Sequence, residues 1–214
     1  MRPRKDGQAT RENILKAACQ VFGEKGYRGA THAEICQRAG VNIAAINYHF
    51  GSKDMLYRAA WERAIDEADA VYPLDGGVPA DAPAEERFRG HIRALVRRGA
   101  DHEKLGHFHS IRMLEIVNPT GLLDEAFAAW RRRARAFTRE ILGALLGPDA
   151  PARSLDLCEM SVISQCHMAR PHHGPGREIW RFADRDMDQV ADHICAFSLA
   201  GIQAVRPGRV SRDG

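Results

Sequence analysis

Cysteine is scarce in this chain. The five present (Cys19, Cys36, Cys158, Cys166, Cys195) are an odd number without a CxxC pair, which argues against a disulfide framework or a zinc knuckle. No apolar run approaches the roughly 18 residues a membrane span needs. The opening MRPRKDGQAT is basic but lacks the apolar stretch of a secretory leader, so a soluble, cytoplasmic protein with no membrane partner is expected. The GxSxG elbow, the P-loop, the dinucleotide fingerprint and paired-carboxylate motifs are all missing, and catalysis is therefore not expected. Ten histidines occur without an HxxxH or HExxH pair. His107 and His109 are two apart, on different faces of a helix, and His172 and His173 fall in a Pro/Gly-rich loop, so neither a metal nor a cofactor is expected. Sustained period-two alternation is absent as well, which excludes a substantial sheet and leaves an all-α fold.

The net charge of +3 hides an asymmetry. Residues 1–53 hold nine Lys/Arg against four acids, whereas the remainder holds 22 against 24. A basic head on a near-neutral body suits a polyanion gripped by one end of the molecule. Residues 1–9 read as a flexible basic arm. Thr10 is placed to cap a helix to about Lys25, with Ile14, Leu15, Ala18, Val21 and Phe22 on one face, ended by Gly26. Ser52 is placed to cap a helix that runs towards Tyr72 as the link to the body. After the Pro73–Pro83 loop, helices are expected over 85–99 and 105–117. The next starts at Thr120 or Gly121 and runs to Leu146, and the last two span 154–168 and 186–205.

The most informative stretch is Thr31 to Asp54, THAEICQRAGVNIAAINYHFGSKD. Ala33, Ile35, Cys36 and Ala39 give a short helix a small apolar face. Gly40 sits where the chain must reverse, and Asn42 can cap the next helix. That second helix is too short to bury a core of its own. Ile46 and Phe50 point inward, leaving Ile43, Ala45, Asn47, Tyr48 and His49 on a free face. Small, amide, aromatic and imidazole groups on such a face suit a DNA groove.

The run from Arg11 to Leu56, carried by TRENILKAACQVFGEKGYRGATHAEICQRAGV and INYHFGSKDMLY, resembles the DNA-binding domain of the tetracycline-repressor (TetR) family of bacterial regulators. RMLEIVNPTGLLDEAF and SVISQCHMARPHH resemble the C-terminal domain of its CecR-type subgroup. The resemblance implies a three-helix DNA-binding head, residues 1–53, and a ligand-binding, dimerising helical body, residues 54–214. Carried over by position, Thr31 and Lys53 would bind phosphates, Tyr48 and His49 would lie on the DNA backbone, and Ile43, Ala44, Ala45 and Asn47 would face bases, with Asn42 in the same set. Asn47 suits a bidentate contact to adenine. The family often carries Tyr there, so base preference does not transfer. Packing of the small domain is the other role open to Tyr48 and His49.

The implied function is a homodimeric repressor that leaves a palindromic double-stranded operator when a small-molecule effector occupies its body. Large or amide-bearing body residues, Phe108, Arg112, Met113, Phe127, Trp130, Gln165 and Met168, are candidate pocket groups, although ordinary core explains each as well. Leu155, Cys158 and Val162, with Val190, Ile194, Phe197 and Gly201, form the stripes that the resemblance assigns to a four-helix dimer interface. The cluster Arg131–Arg133 with Arg135 and Arg139 is either a solvated face or a draw for an anion. Cys158 and Cys166 fit a core or an oxidant sensor. Two other functions stay open: a helical cofactor-binding protein, and a protein–protein adaptor, each with a vestigial DNA head.

Overall fold

The computed structural model describes residues 4–169 and 187–207. The expected Pro171–Gly176 loop with His172 and His173 lies outside the described residues, as do Asp186 and the first three residues. Every regular element among the described residues is an α-helix: α1 (Arg4–Gly29), α2 (His32–Ala39), α3 (Ile43–Phe50), α4 (Lys53–Val71), α5 (Ala84–Ala100), α6 (Gly106–Val117), α7 (Asp124–Leu146), α8 (Ala152–Met168) and α9 (Met187–Val205). The chain divides into two compact units, one of residues 1–70 and 102–130, the other of 71–101 and 131–214.

In the first unit, Ile14, Ala18, Val21 and Phe22 of α1 are buried with Ile35 of α2, Ile46 and Phe50 of α3, and Leu56, Tyr57, Ala60 and Trp61 of α4. Phe108 and Ile111 of α6 belong to the same unit and are also buried. α1 breaks at Gly26, whose φ of 68° a side chain would resist. The break turns Tyr27 back so that its ring lies 5.2 Å from that of Tyr57. Tyr57 donates to Glu115 Oε2 at 2.9 Å, and the other oxygen of that buried carboxylate accepts from the Thr120 amide and hydroxyl, each at 2.8 Å. Arg28 donates to Asn118 Oδ1 at 2.5 Å.

The second unit is centred on Phe88, Ile92 and Val96 of α5, Ile141 and Leu142 of α7, Val162 and Cys166 of α8, and Ile194, Leu199 and Ile202 of α9. Within it His91 is fully buried. Nδ1 lies 2.7 Å from the Leu74 carbonyl and Nε2 2.9 Å from the Thr138 hydroxyl. A carbonyl can only accept, so Nδ1 carries the proton and the neutral ring pins the 73–78 loop to α5. Burial, reinforced by the Arg98 charge, holds the imidazole down at about 4 against the Leu74 bond.

Several sequence expectations are corrected. α1 begins by Arg4, not at Thr10, so Thr10 lies inside the helix and residues 4–9 of the expected arm are helical. Ala33 is exposed, leaving Ile35 as the buried anchor of α2. α7 starts at Asp124, because Gly121 at φ 77° holds the preceding turn open. Arg135 and Arg139 bond Glu159 at 2.8 and 2.7 Å, and Arg139 also bonds Asp156 at 2.6 Å. Those two guanidiniums are therefore neutralised by α8.

Candidate nucleic-acid interface

The helix-turn-helix is built from caps. Thr31, extended at φ −119°, accepts the Glu34 amide on its hydroxyl at 3.2 Å, while the Glu34 carboxylate takes the Thr31 amide and hydroxyl in return. This reciprocal box satisfies two donors at the start of α2. Gly40 ends α2 in the left-handed region at φ 67°, the conformation that lets the chain reverse within three residues. Asn42 Oδ1 then accepts the Ala45 amide at 3.1 Å and starts α3. At the far end, the Ser52 hydroxyl accepts the Met55 amide at 3.2 Å and opens α4.

α3 has two dissimilar faces. Ile46 is wholly buried and Phe50 nearly so, while Ile43 is 54% and Tyr48 85% exposed. Asn42, Ala44 and Asn47 are exposed too, with Ala45 and His49 half-buried. The exposure of Tyr48 removes the packing role as its explanation. Its ring instead stands edge-on to His49 at 5.0 Å. All the DNA-facing candidates, Thr31, Asn42, Ile43, Ala44, Ala45, Asn47, Tyr48, His49 and Lys53, thus lie between the cap of α2 and the first residue of α4.

Among the basic residues in and beside the head, some meet acids and others aromatic faces. Arg38 forks onto Glu24 at 2.6 and 2.5 Å, Lys25 pairs with Glu34, and Arg63 pairs with Glu12 and Glu67. Lys53 and Arg11 sit instead on aromatic faces. The Lys53 ammonium is 4.5 Å from the centre of the Tyr27 ring, and the Arg11 guanidinium 4.8 Å from that of Phe50. Tyr27 is itself fixed by donating to Asp54 at 2.5 Å, a bond that raises its phenol above the usual range. An aromatic face holds a cation without cancelling its charge, so both stay available beside the carboxyl end of α3. Sequence reasoning missed Arg11, because nothing local signals that Phe50 lies beneath it.

The ligand-pocket candidates divide. Phe108, Phe127 and Trp130 surround Trp61 of α4, with ring centres 5.7, 4.2 and 6.1 Å from it, and Arg112 lies over Trp130 at 5.7 Å. Trp61 was legible only as an apolar helix residue, yet it is the hub. Met113 is 54% exposed on another face of α6. Gln165 and Met168 belong to the second unit, where Gln165 bonds Ser161 and Ser198.

The candidate dimer stripes divide as well. Cys158, Val162 and Ile194 are buried in the chain's own core, with Leu155 and Val190 packed against it, while Phe197 and Gly201 are exposed. The large exposed apolar side chains of α8 and α9 among the described residues are Leu157, Met160, Met168, Phe197 and Val205. Leu157, Phe197, Gly201 and Val205 line a groove of about 270 Å³ between the two helices. Burial raises the Cys158 thiol, which disfavours the thiolate an oxidant sensor needs. No helix among the described residues is long and apolar enough to cross a membrane.

Residues 14–60 match the model of the tetR family of bacterial regulatory proteins, and residues 84–202 match that of the C-terminal domain of the HTH-type transcriptional dual regulator CecR. The HTH-type transcriptional repressor NicS of Pseudomonas putida is 38% identical over 79 residues, 36% of this chain and 37% of the relative. CecR of Shigella flexneri is 49% identical over 60 residues, 28% of this chain and 26% of the relative. The chain thus spans well under half the length of these curated relatives. In fold it is similar to MexZ of Pseudomonas aeruginosa, with a TM-score of 0.69 at 21% identity over 94% of this chain and 97% of that one. A TetR-like regulator from Rhodococcus sp. RHA1 aligns with a TM-score of 0.64 at 18% identity, covering 95% and 99%. The chain belongs to the TetR family of bacterial regulatory proteins and carries a CecR-type C-terminal domain.

Proposed function

We propose that this protein is a ligand-responsive transcriptional regulator, a homodimeric repressor that binds a palindromic operator through α3 and releases it when an effector occupies the body. The observation that carries this reading is the capped, eight-residue α3 with Ile46 and Phe50 anchored inward and Ile43, Asn47 and Tyr48 left in solvent. Exposure of so much apolar and amide surface on a short rod has no use in the protein's own packing and suits a major groove. The head, residues 1–53, is the DNA-reading part, and residues 54–214 are the regulatory and dimerising part. The relatives' names support the reading, since NicS is a repressor and CecR a dual regulator. The exposed groove residues of α8 and α9 are the patch proposed to meet a second copy, with Cys158 and Val162 at the floor of the same groove and Ile194 buried in the core.

Selection of bound duplexes from a random pool by the purified protein tests the reading. The expected result is an inverted repeat whose half-sites lie about one helical turn apart. Asn47→Ala should blur preference at one or two positions, and Tyr48→Ala should weaken binding to every sequence alike. Recovery of no duplex at low salt would refute the proposal.

A further inference from the structure

Arg11 lies in α1, one turn before Leu15 and two before Ala18, both of which are buried. It therefore leaves α1 along the edge of the buried stripe, and its guanidinium comes to rest 4.8 Å from the centre of the Phe50 ring, with the residue still exposed. Phe50 is the last residue of α3. Its ring stands 6.5 Å from that of His49, which in turn stands 5.0 Å from that of the exposed Tyr48. Arg11 thus ends an aromatic row whose other end is the solvent face of the recognition helix. Acids are at hand, since Glu62, Asp66 and Glu67 of α4 line a shallow groove with Arg11. Glu67 and the neighbouring Glu12 are both taken by Arg63, and the Arg11 guanidinium is seated on the ring.

We infer that Arg11 is a phosphate ligand of the operator, a DNA contact supplied by α1 at the carboxyl end of the recognition helix. Two forces hold the guanidinium there without neutralising it: the quadrupole of the ring beneath it and the partial negative charge of the last carbonyls of α3. Stacking covers one flat side of the group and leaves its N–H rim free. That rim is the part that matches two phosphate oxygens at once. A guanidinium already seated also loses less freedom on binding than one on a free side chain. Lysine at this position would keep the charge but lose both the fork and the stacked fit. The inference rests on the proposal that α3 docks in a duplex, and it adds a contact from outside the helix-turn-helix.

The test is fluorescence anisotropy of the full chain carrying Arg11→Gln, from about 50 to 200 mM salt, with a duplex selected by the wild type. Loss of one phosphate partner per head, two for the dimer, should make the slope of log K against log salt shallower by about 1.8. Base preference in a random-pool selection should stay that of the wild type, because a phosphate contact carries no sequence information. Arg11→Lys, which keeps the charge, should hold the slope to within about 0.5 of the wild type while binding more weakly. Single methylphosphonates stepped through one half-site should locate a phosphate whose neutralisation weakens the wild type about tenfold and Arg11→Gln less than about twofold. A guanidinium that only braced Phe50 would leave the slope and the methylphosphonate profile unaltered, even if its loss lowered the thermal midpoint. The inference is overturned by an unchanged slope, by a shifted base preference, or by a methylphosphonate profile that Arg11→Gln shares with the wild type. Failure of the wild type to retain any duplex at low salt would sink the DNA-binding proposal as a whole, whereas wild-type binding with an unchanged variant slope would sink the role of Arg11 alone.

Discussion

Lys53 offers a prediction in which folding and DNA binding separate cleanly. Its ammonium rests 4.5 Å above the Tyr27 ring and is half-buried at the start of α4. Lys53→Gln removes the charge but keeps most of the stem, so the fold should lose only the cation–π attraction, about 0.5–1 kcal/mol at such a site. DNA binding should suffer differently. Each head gives up one phosphate partner, hence two for the dimer, and at about 0.9 released counterions per phosphate the slope of log K against log salt should become shallower by about 1.8. Between 50 and 200 mM salt the gap between wild type and variant should therefore narrow by about twelvefold. Fluorescence anisotropy with a selected operator across that range measures the slope, and urea unfolding measures the fold. An unchanged slope would refute the phosphate role. A drop of several kcal/mol in urea would show that Lys53 serves the fold instead.

Other predictions follow from groups away from the interface. His91 ionises near 4 when folded against about 6.5 when unfolded, so the unfolded chain binds more protons between those values. Stability should be fully present above pH ~6.5 and fall by on the order of 3 kcal/mol as pH drops towards ~4. Denaturant midpoints should show that slope, and His91→Gln, which has no proton to gain there, should flatten it. Tyr57→Phe removes one of three bonds to the buried Glu115 carboxylate and should cost about 1.5–3 kcal/mol by urea unfolding; less than half a kcal/mol would mean that water replaces the hydroxyl. Phe197 is 64% exposed, so Phe197→Asp should leave the protomer's fold intact while shifting sedimentation from dimer to monomer. A variant that stays dimeric would place the interface elsewhere.

What the sequence disclosed depended on how local its cause was. The faces of α3 were readable because eight residues with only Ile46 and Phe50 as strong inward apolar groups admit one orientation, and the Thr31, Asn42 and Ser52 caps are short-range chemistry. The phase of α8 and α9 was not readable, because both helices carry apolar residues around most of their circumference. Val162 and Leu157, or Ile194 and Phe197, are equivalent by composition, and only tertiary packing sends the first of each pair inward. The pairing of Arg135 and Arg139 with Asp156 and Glu159 was hidden for a similar reason: the acids come from the next helix. Trp61 went unrecognised as a hub because its three ring partners lie 47 to 69 residues further on.

The tertiary bonds that sequence could not reveal also tie α6 to the helices on either side of the recognition helix. α6 supplies Phe108 and Arg112 to the surroundings of Trp61, and its carboxyl end holds Glu115 and leads to Asn118. Glu115 binds Tyr57 of α4, one turn before Trp61, and Asn118 binds Arg28 at the end of α1. Phe22 of α1 packs edge-on against Tyr57 at 4.8 Å, closing the circuit. Neither α1 nor α4 can then follow α6 alone. A shift of α6 pulls on α1 through an exposed guanidinium–amide bond and on α4 through a buried phenol–carboxylate bond, and the second is the stiffer because its partners are desolvated and multiply bonded. α4 is accordingly the element tied most firmly to α6, with α1 held to it by the packing of Phe22 on Tyr57.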